Sequence, residues 1–274
     1  MGRLVRPATV IPMRYRPLVI SAAVVLTALI VISAAAAPLI RTFGPLLAPE
    51  ALFFVPTTQR AVALTIDDGP SPETTAAVLD VLRAHDARAT FFLLGAQVEG
   101  NGYLVERMLR DGHEIASHGL EERPSFMLSD ERFSRDLAIT HERLSGLGTV
   151  HWFRPGSGLY RERARVAANR YGYHLALGDI LPYDTLLPSS RVQLAYIEAW
   201  LRPGSIIILH DARDRGRRLV GTLDALIPRL RAKGYELMTL SDLARLSEDG
   251  AGIPAAPRES PGRGQPDNGD PART

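Results

Sequence analysis

Two adjacent carboxylates, Asp67 and Asp68, stand in the run Thr65-Ile66-Asp67-Asp68-Gly69-Pro70, directly after the apolar residues Ala61-Val62-Ala63-Leu64. The apolar run reads as a buried strand. Ser71-Pro72-Glu73-Thr74 beyond it reads as a helix start, with Ser71 as cap, Pro72 in the first helical position and Glu73 in the first turn. Neighbours along a strand point to opposite sides, so the two carboxylates are expected in different surroundings. One can then ligate a metal while the other acts as a base. Taken alone, an Asp-Asp-Gly tripeptide is also the composition of a solvated turn.

Other polar residues add to this pair. His118 and Glu122 are four apart, and on a helical turn they would share one face and could bind a single ion together with Asp68. His210 follows Ile206-Ile207-Ile208-Leu209 without a break, so it stands at the mouth of a buried strand, where a histidine suits a general acid. Arg154, in Phe153-Arg154-Pro155-Gly156-Ser157-Gly158, needs a carboxylate partner if it enters such a mouth, and Asp67 or Asp184 could supply it. His85, His113, His141, His151 and His174 read as structural.

The elements that must position these groups alternate regularly. Strand-like runs cover 61–65, 89–94, 114–117, 151–153, 173–177, 205–209 and 235–240, separated by amphipathic helical stretches at 72–85, 97–110, 130–145, 161–171, 192–201 and 220–233. Ser129 and Ser241 read as N-caps. This order predicts a parallel α/β sheet covered by helices. Seven strands in so short a domain fit a distorted, incomplete (β/α) barrel of about seven βα units, with a doubly wound open sheet as the alternative. In both, functional groups gather at the C-terminal strand ends. Asp67 and Asp68, His118, Arg154, Asp184 and His210 all fall at or just after such ends.

The 274 residues include no cysteine, so neither a disulfide nor a thiolate metal site is possible. A net charge of +2 gives no reason to expect a nucleic-acid partner. Residues 1–16 form a basic segment with Arg3, Arg6, Arg14 and Arg16 and no acid, and residues 17–40 carry no charge. As a helix the second segment would be about 36 Å long, enough to span a bilayer once, with the remainder outside the cytoplasm. A cleaved signal peptide, ending in the small residues 33–37, is the alternative and would give a secreted protein. The expected organisation is therefore a cytoplasmic N-terminus (1–16), an anchor (17–40), a linker (41–60), a catalytic domain (61–248) and a disordered, Pro- and Gly-rich tail (249–274).

Taken in chain order, the motifs resemble those of the polysaccharide deacetylases, carbohydrate esterase family 4, over roughly residues 61–246. Thr65-Ile66-Asp67-Asp68-Gly69-Pro70 is similar to the family's Thr-Phe-Asp-Asp-Gly-Pro, which implies that Asp67 is the catalytic base and Asp68 a metal ligand. Gly112-His113-Glu114-Ile115-Ala116-Ser117-His118 resembles the lead into the family's His-x-x-x-His, implying His118 as a ligand. Phe153-Arg154-Pro155 resembles the third motif, whose arginine pairs with the base. Asp184 falls where the fourth motif supports that network, and Leu209-His210 resembles the last, whose histidine protonates the leaving group.

Three departures stand out. Glu122 replaces the second metal histidine, Gly156-Ser157 replaces Pro-Tyr, and Thr185 replaces a Trp, with Asp179 the nearest candidate for the fourth motif's second Asp. An Asp68-His118-Glu122 set implies one divalent ion, zinc first, with cobalt, manganese or iron admitted by the extra oxygen ligand. The implied activity is hydrolysis of a non-peptide carbon–nitrogen bond: release of acetate from an N-acetylated polysaccharide or oligosaccharide of the cell envelope. A backbone N–H near Ser157 would help stabilise the oxyanion. An O-acetyl esterase, a non-sugar amidase and a degenerate glycan-binding protein are the rival expectations.

Overall fold

The structure is a computed structural model that describes residues 35–247. The basic segment 1–16, most of the expected anchor 17–40 and the tail 249–274 lie outside the described residues. The chain first forms α1 (Ala36–Leu47) and β1 (Ala51–Leu52). The stretch expected as a linker thus holds most of a helix and a strand. α1 is tied down because Arg41 Nη1 reaches buried Asp179 at 2.7 Å and Nη2 donates to Pro203 O at 2.8 Å, while Ala37 N donates to Tyr196 Oη. Among the described residues no helix is long and apolar enough to cross a membrane.

The domain then alternates as its periodicity dictates: β2 (Ala61–Asp67), α2 (Thr75–Ala84), β3 (Thr90–Leu93), α3 (Gly95–Val98), α4 (Gly102–Arg110), β4 (Glu114–Ser117) and α5 (Asp130–Ser145). β5 (Trp152–Phe153), α6 (Glu162–Asn169), β6 (His174–Ala176), α7 (Ser190–Trp200), β7 (Ile206–His210), α8 (Arg213–Ala232), β8 (Glu236–Met238) and α9 (Leu240–Ala244) follow. Every strand pair is parallel, in the order β1-β6-β5-β4-β3-β2-β7, with β8 beside the start of β2. Isolated bridges Phe54–Ser205 and Ile180–Ile207 draw the two ends together without a continuous ladder. The architecture agrees with an incomplete (β/α) barrel.

β2 explains how the interior is set. Its seven residues are all buried, and their period of two sorts them by face. Val62, Leu64 and Ile66 pack into the outer core under α2 and α8, with Val78, Leu82, Leu223 and Leu226. Ala61 and Ala63 face the inner core with Phe92, Ala116, Trp152 and Ile206. Thr65 and Asp67 continue that inner row to the mouth. The same alternation on β7 puts Ile207 and Leu209 outside and leaves His210 on the inner row.

Two expected caps move. The helix after β2 begins at Thr75 with Thr74 at the N-cap, three residues beyond the expected start, because the Thr74 and Thr75 hydroxyls are both committed to Asp211. Ser129 caps α5 as expected, accepting from Arg132 N. α9 is capped by Thr239, and Ser241 lies inside it, bonded through Oγ to Glu114.

Candidate active site

Asp67 ends β2 and is the register partner of His210 on β7. Arg154, just past β5, crosses the barrel to it: Nη1 meets Asp67 Oδ1 at 2.5 Å and also donates to Thr65 Oγ1 at 2.9 Å. Its Nε donates to Ala176 O, and its guanidinium lies 3.9 Å from the centre of the Phe92 ring. Arg154 and Asp67 are each 3% exposed at the side chain, so the pair is fully desolvated. Of the two carboxylates the sequence offered, Asp67 is the one Arg154 pairs with.

Asp184 instead holds His210. Its Oδ2 accepts from His210 N at 2.8 Å and its Oδ1 lies 2.9 Å from Nδ1, so Nδ1–H donates and Nε2 points to the mouth. Burial alone would depress the imidazole, but the Asp184 bond and the charges of Asp184, Asp67 and Asp68 outweigh it and raise the pKa to about 9. His210 is therefore an imidazolium at neutral pH, able to give a proton.

Asp68 lies beyond the strand with φ 73°, a left-handed conformation that costs an aspartate about 1–3 kcal/mol. The strand alternation expected to separate the two carboxylates therefore stops at Asp67, and both turn to His118. His118 Nε2 is 3.5 Å from Asp68 Oδ1 and 3.8 Å from Asp67 Oδ2. The other ring nitrogen is 2.8 Å from Arg154 O, which fixes the tautomer with Nε2 unprotonated when the ring is neutral. Burial raises the Asp68 pKa, with Asp67 and Glu122 adding to it and His118 and His210 opposing it.

Asp68 Oδ1 and His118 Nε2 thus fit a divalent ion as two ligands. Glu122 does not complete the set as placed. Its side chain is 54% exposed, and its Oε1 sits 2.6 Å from Arg215 Nη2. Among the described residues no group of three His, Asp or Glu side chains is arranged to hold a metal ion. A cleft of about 370 Å³ adjoins Asp68, lined by Glu73, Leu94, Gln97, Leu120, Glu121 and Glu122 among others.

The remaining expected residues separate clearly. Asp179 belongs to Arg41, Ser205 and the Ile206 N–H, well away from catalytic use. His113 is buried, its Nδ1 accepting from Ala89 N, and burial lowers its pKa to about 4. His85 meets Asp224 and His141 meets Tyr173. Gly156, where the resemblance implied a proline, is forced by the loop after β4: a Cβ there would stand 2.0 Å from Arg123 O. Its N–H donates to Ser125 Oγ at 2.8 Å, and Ser157 follows with φ 64°. That loop fills wall space which a side chain at 156 would need.

A polysaccharide deacetylase family model matches residues 54–176. A peptidoglycan-N-acetylglucosamine deacetylase of Bacillus cereus is 32% identical over 194 residues, covering 70% of this chain and 91% of the relative. The chain belongs to the polysaccharide deacetylase family. A chitooligosaccharide deacetylase of Bradyrhizobium sp. is 29% identical over 73% of the chain and 98% of its own length. Among solved structures, a mutant of BA3943, described as a CE4 family pseudoenzyme with restored enzymatic activity, superposes with a TM-score of 0.65. It is 25% identical and covers 71% of each chain.

Two parts of this candidate site carry no role in the sequence motifs. Arg215 gives no individual signal within Arg213, Arg215, Arg217 and Arg218. Asp211, buried, accepts from Thr74 and Thr75 at 2.5 Å each and donates its N–H to Asp67 O, joining the start of α8 to β2. Its adjacency to His210 was the only hint.

Proposed function

We propose that this chain is a metal-dependent hydrolase that releases acetate from N-acetylated glucosamine units of an envelope polysaccharide or oligosaccharide. The observation that carries this reading is the pairing of a buried, arginine-held carboxylate with an aspartate-held histidine across one rung of the β2–β7 ladder. Binding alone requires neither.

The steps follow from the atoms. Arg154 occupies Asp67 Oδ1 and orients the carboxylate, leaving Oδ2 to take a proton from the attacking water. The water oxygen forms its bond to the acyl carbon. His210 Nε2 gives its proton to the amide nitrogen as the carbon–nitrogen bond breaks, so that acetate and a free amine leave. Asp184 accepts from Nδ1–H and holds the ring in place before and after the transfer. A divalent ion held by Asp68 and His118 would supply polarisation of the acyl carbonyl and acidification of water.

The relatives act on two different glycans by name, and the wall at Gly156-Ser157 and the exposed Thr185 are this chain's own, so the polymer is assigned only as N-acetylated. The charge-free run behind four arginines supports a membrane tether formed by residues 17–35, since 36–40 belong to the docked α1, with the domain outside the cytoplasm and secretion after cleavage as the alternative. The test is acetate release from N-acetylated chitooligosaccharide and peptidoglycan fragments, with zinc, cobalt or manganese. Wild type should turn over, and Asp67→Asn should lose about 10²–10⁴-fold.

A second reading, a glycan-binding protein without turnover, is favoured by one observation, the engagement of Glu122 by Arg215. Oligosaccharide binding with no acetate released under any of the three metals would establish it.

A further inference from the structure

Arg215 enters the mouth from the first turn of α8. Its Nη1 is 3.3 Å from Asp68 Oδ2 and its Nη2 is 2.6 Å from Glu122 Oε1, so one guanidinium spans two carboxylates. The two oxygens of Asp68 are divided: Oδ1 faces His118 and Oδ2 faces Arg215. The Arg215 side chain is 18% exposed, while the Glu122 side chain it holds is three times more open. A planar fork suits paired carboxylates in a way that a hydrated ammonium does not.

The backbone behind Arg215 leaves it little choice of place. At Gly216 a Cβ would stand 2.3 Å from Thr74 Oγ1 and 2.4 Å from Asp211 Oδ1, so α8 starts in direct contact with the turn that follows β2. Asp211 N donates to Asp67 O, which registers that start against the strand carrying the base. The cation is delivered to Asp68 by the same framework that delivers Asp68.

Resting on the deacetylase reading above, we propose that Arg215 is a built-in cation that competes with the divalent ion for Asp68 and Glu122. It acts as a latch that must open before Glu122 can become the third ligand. Two cations sharing one carboxylate repel each other, so the closed latch offers an incoming ion only Asp68 Oδ1 and His118 Nε2. Opening releases Glu122, with its free carboxylate, on the segment that already lines the cleft. The latch makes metal affinity a property of Arg215 as much as of the ligands. A latch closed nine-tenths of the time weakens apparent binding about ten-fold.

The experiment is calorimetric titration of zinc and manganese into metal-stripped wild type, Arg215→Ala, Glu122→Ala and the double variant, with acetate release followed in parallel. Arg215→Ala should bind about ten-fold more tightly or better, and the gain should vanish when Glu122 is also removed. Arg215→Gln, which keeps most of the stem, gives the same reading if the alanine variant does not fold. Equal or weaker binding by the Arg215 variants, or a gain that persists without Glu122, overturns the latch. Acetate release by wild type with no gain in affinity would sink the latch and leave the deacetylase. A gain in affinity with no acetate from any variant would do the reverse.

Discussion

The two sides of the mouth are built by different means. On one side, Asp67 and His210 stand on neighbouring strands, and each is held by a buried partner, Arg154 or Asp184. On the other, His118, Glu122 and Arg215 come from the segment after β4 and from the start of a helix, and two of them are held mainly by each other. The first side has its geometry set by ladder hydrogen bonds and desolvated charge pairs. The second rests on side-chain contacts that can be exchanged one for another. In the proposed function, proton transfer thus falls to the rigid side of the mouth and cation binding to the adjustable side.

The sharpest way to break that contrast is Arg154→Leu. It leaves Asp67 as an uncompensated buried charge, so unfolding in urea should show a loss of about 3–5 kcal/mol. A loss below about 1 kcal/mol would show the strand side to be no more rigid than the loop side.

Asp184→Asn sharpens it next. His210 titrates near 9, above its ordinary 6.5, so the stability it contributes is complete below about 6.5 and lost as pH rises through about 9. Without the Asp184 charge that window should narrow, and the alkaline fall in acetate release should move from near 9 toward 6.5. A pH–rate profile and the imidazole resonance measured by NMR would check this; an unmoved alkaline limb would assign the acid elsewhere.

Gly216→Ala probes the junction between the two sides. Its methyl group would press on Thr74 and Asp211, costing about 1–3 kcal/mol in thermal unfolding and shifting the start of α8. The smallest effect is expected for Glu122→Gln, whose exposed ion pair is worth about 0–1 kcal/mol in urea unfolding.

What the sequence revealed follows the same division. Periodicity located β2, β4, α5 and β7 to within a residue or two, because each is fixed by buried alternation or a local cap. The interior placement of Asp67, Arg154 and His210 was legible because strand ends in parallel sheets converge. The left-handed turn at Asp68 was not legible, since the Asp-Gly-Pro context allows several backbones. The choice of Asp67 over Asp184 as the Arg154 partner depends on a crossing of the barrel between residues 87 apart in sequence. The engagement of Glu122 by Arg215 depends on one spanning 93. Such contacts carry no local signal. α1 was divided between the expected anchor and linker, and its docking through Arg41 onto Asp179 carries no local signal.

The rung shared by Asp67 and His210 has a consequence for what this molecule can change. The two strands work as the jaws of a gauge, set about 4.8 Å apart by backbone hydrogen bonding. In the proposed function that opening would frame the bond to be cut and would be indifferent to the polymer attached to it. Gly156 and Thr185 belong to segments that no ladder constrains. Loops can therefore be exchanged around the mouth while the jaw setting stays where the sheet put it.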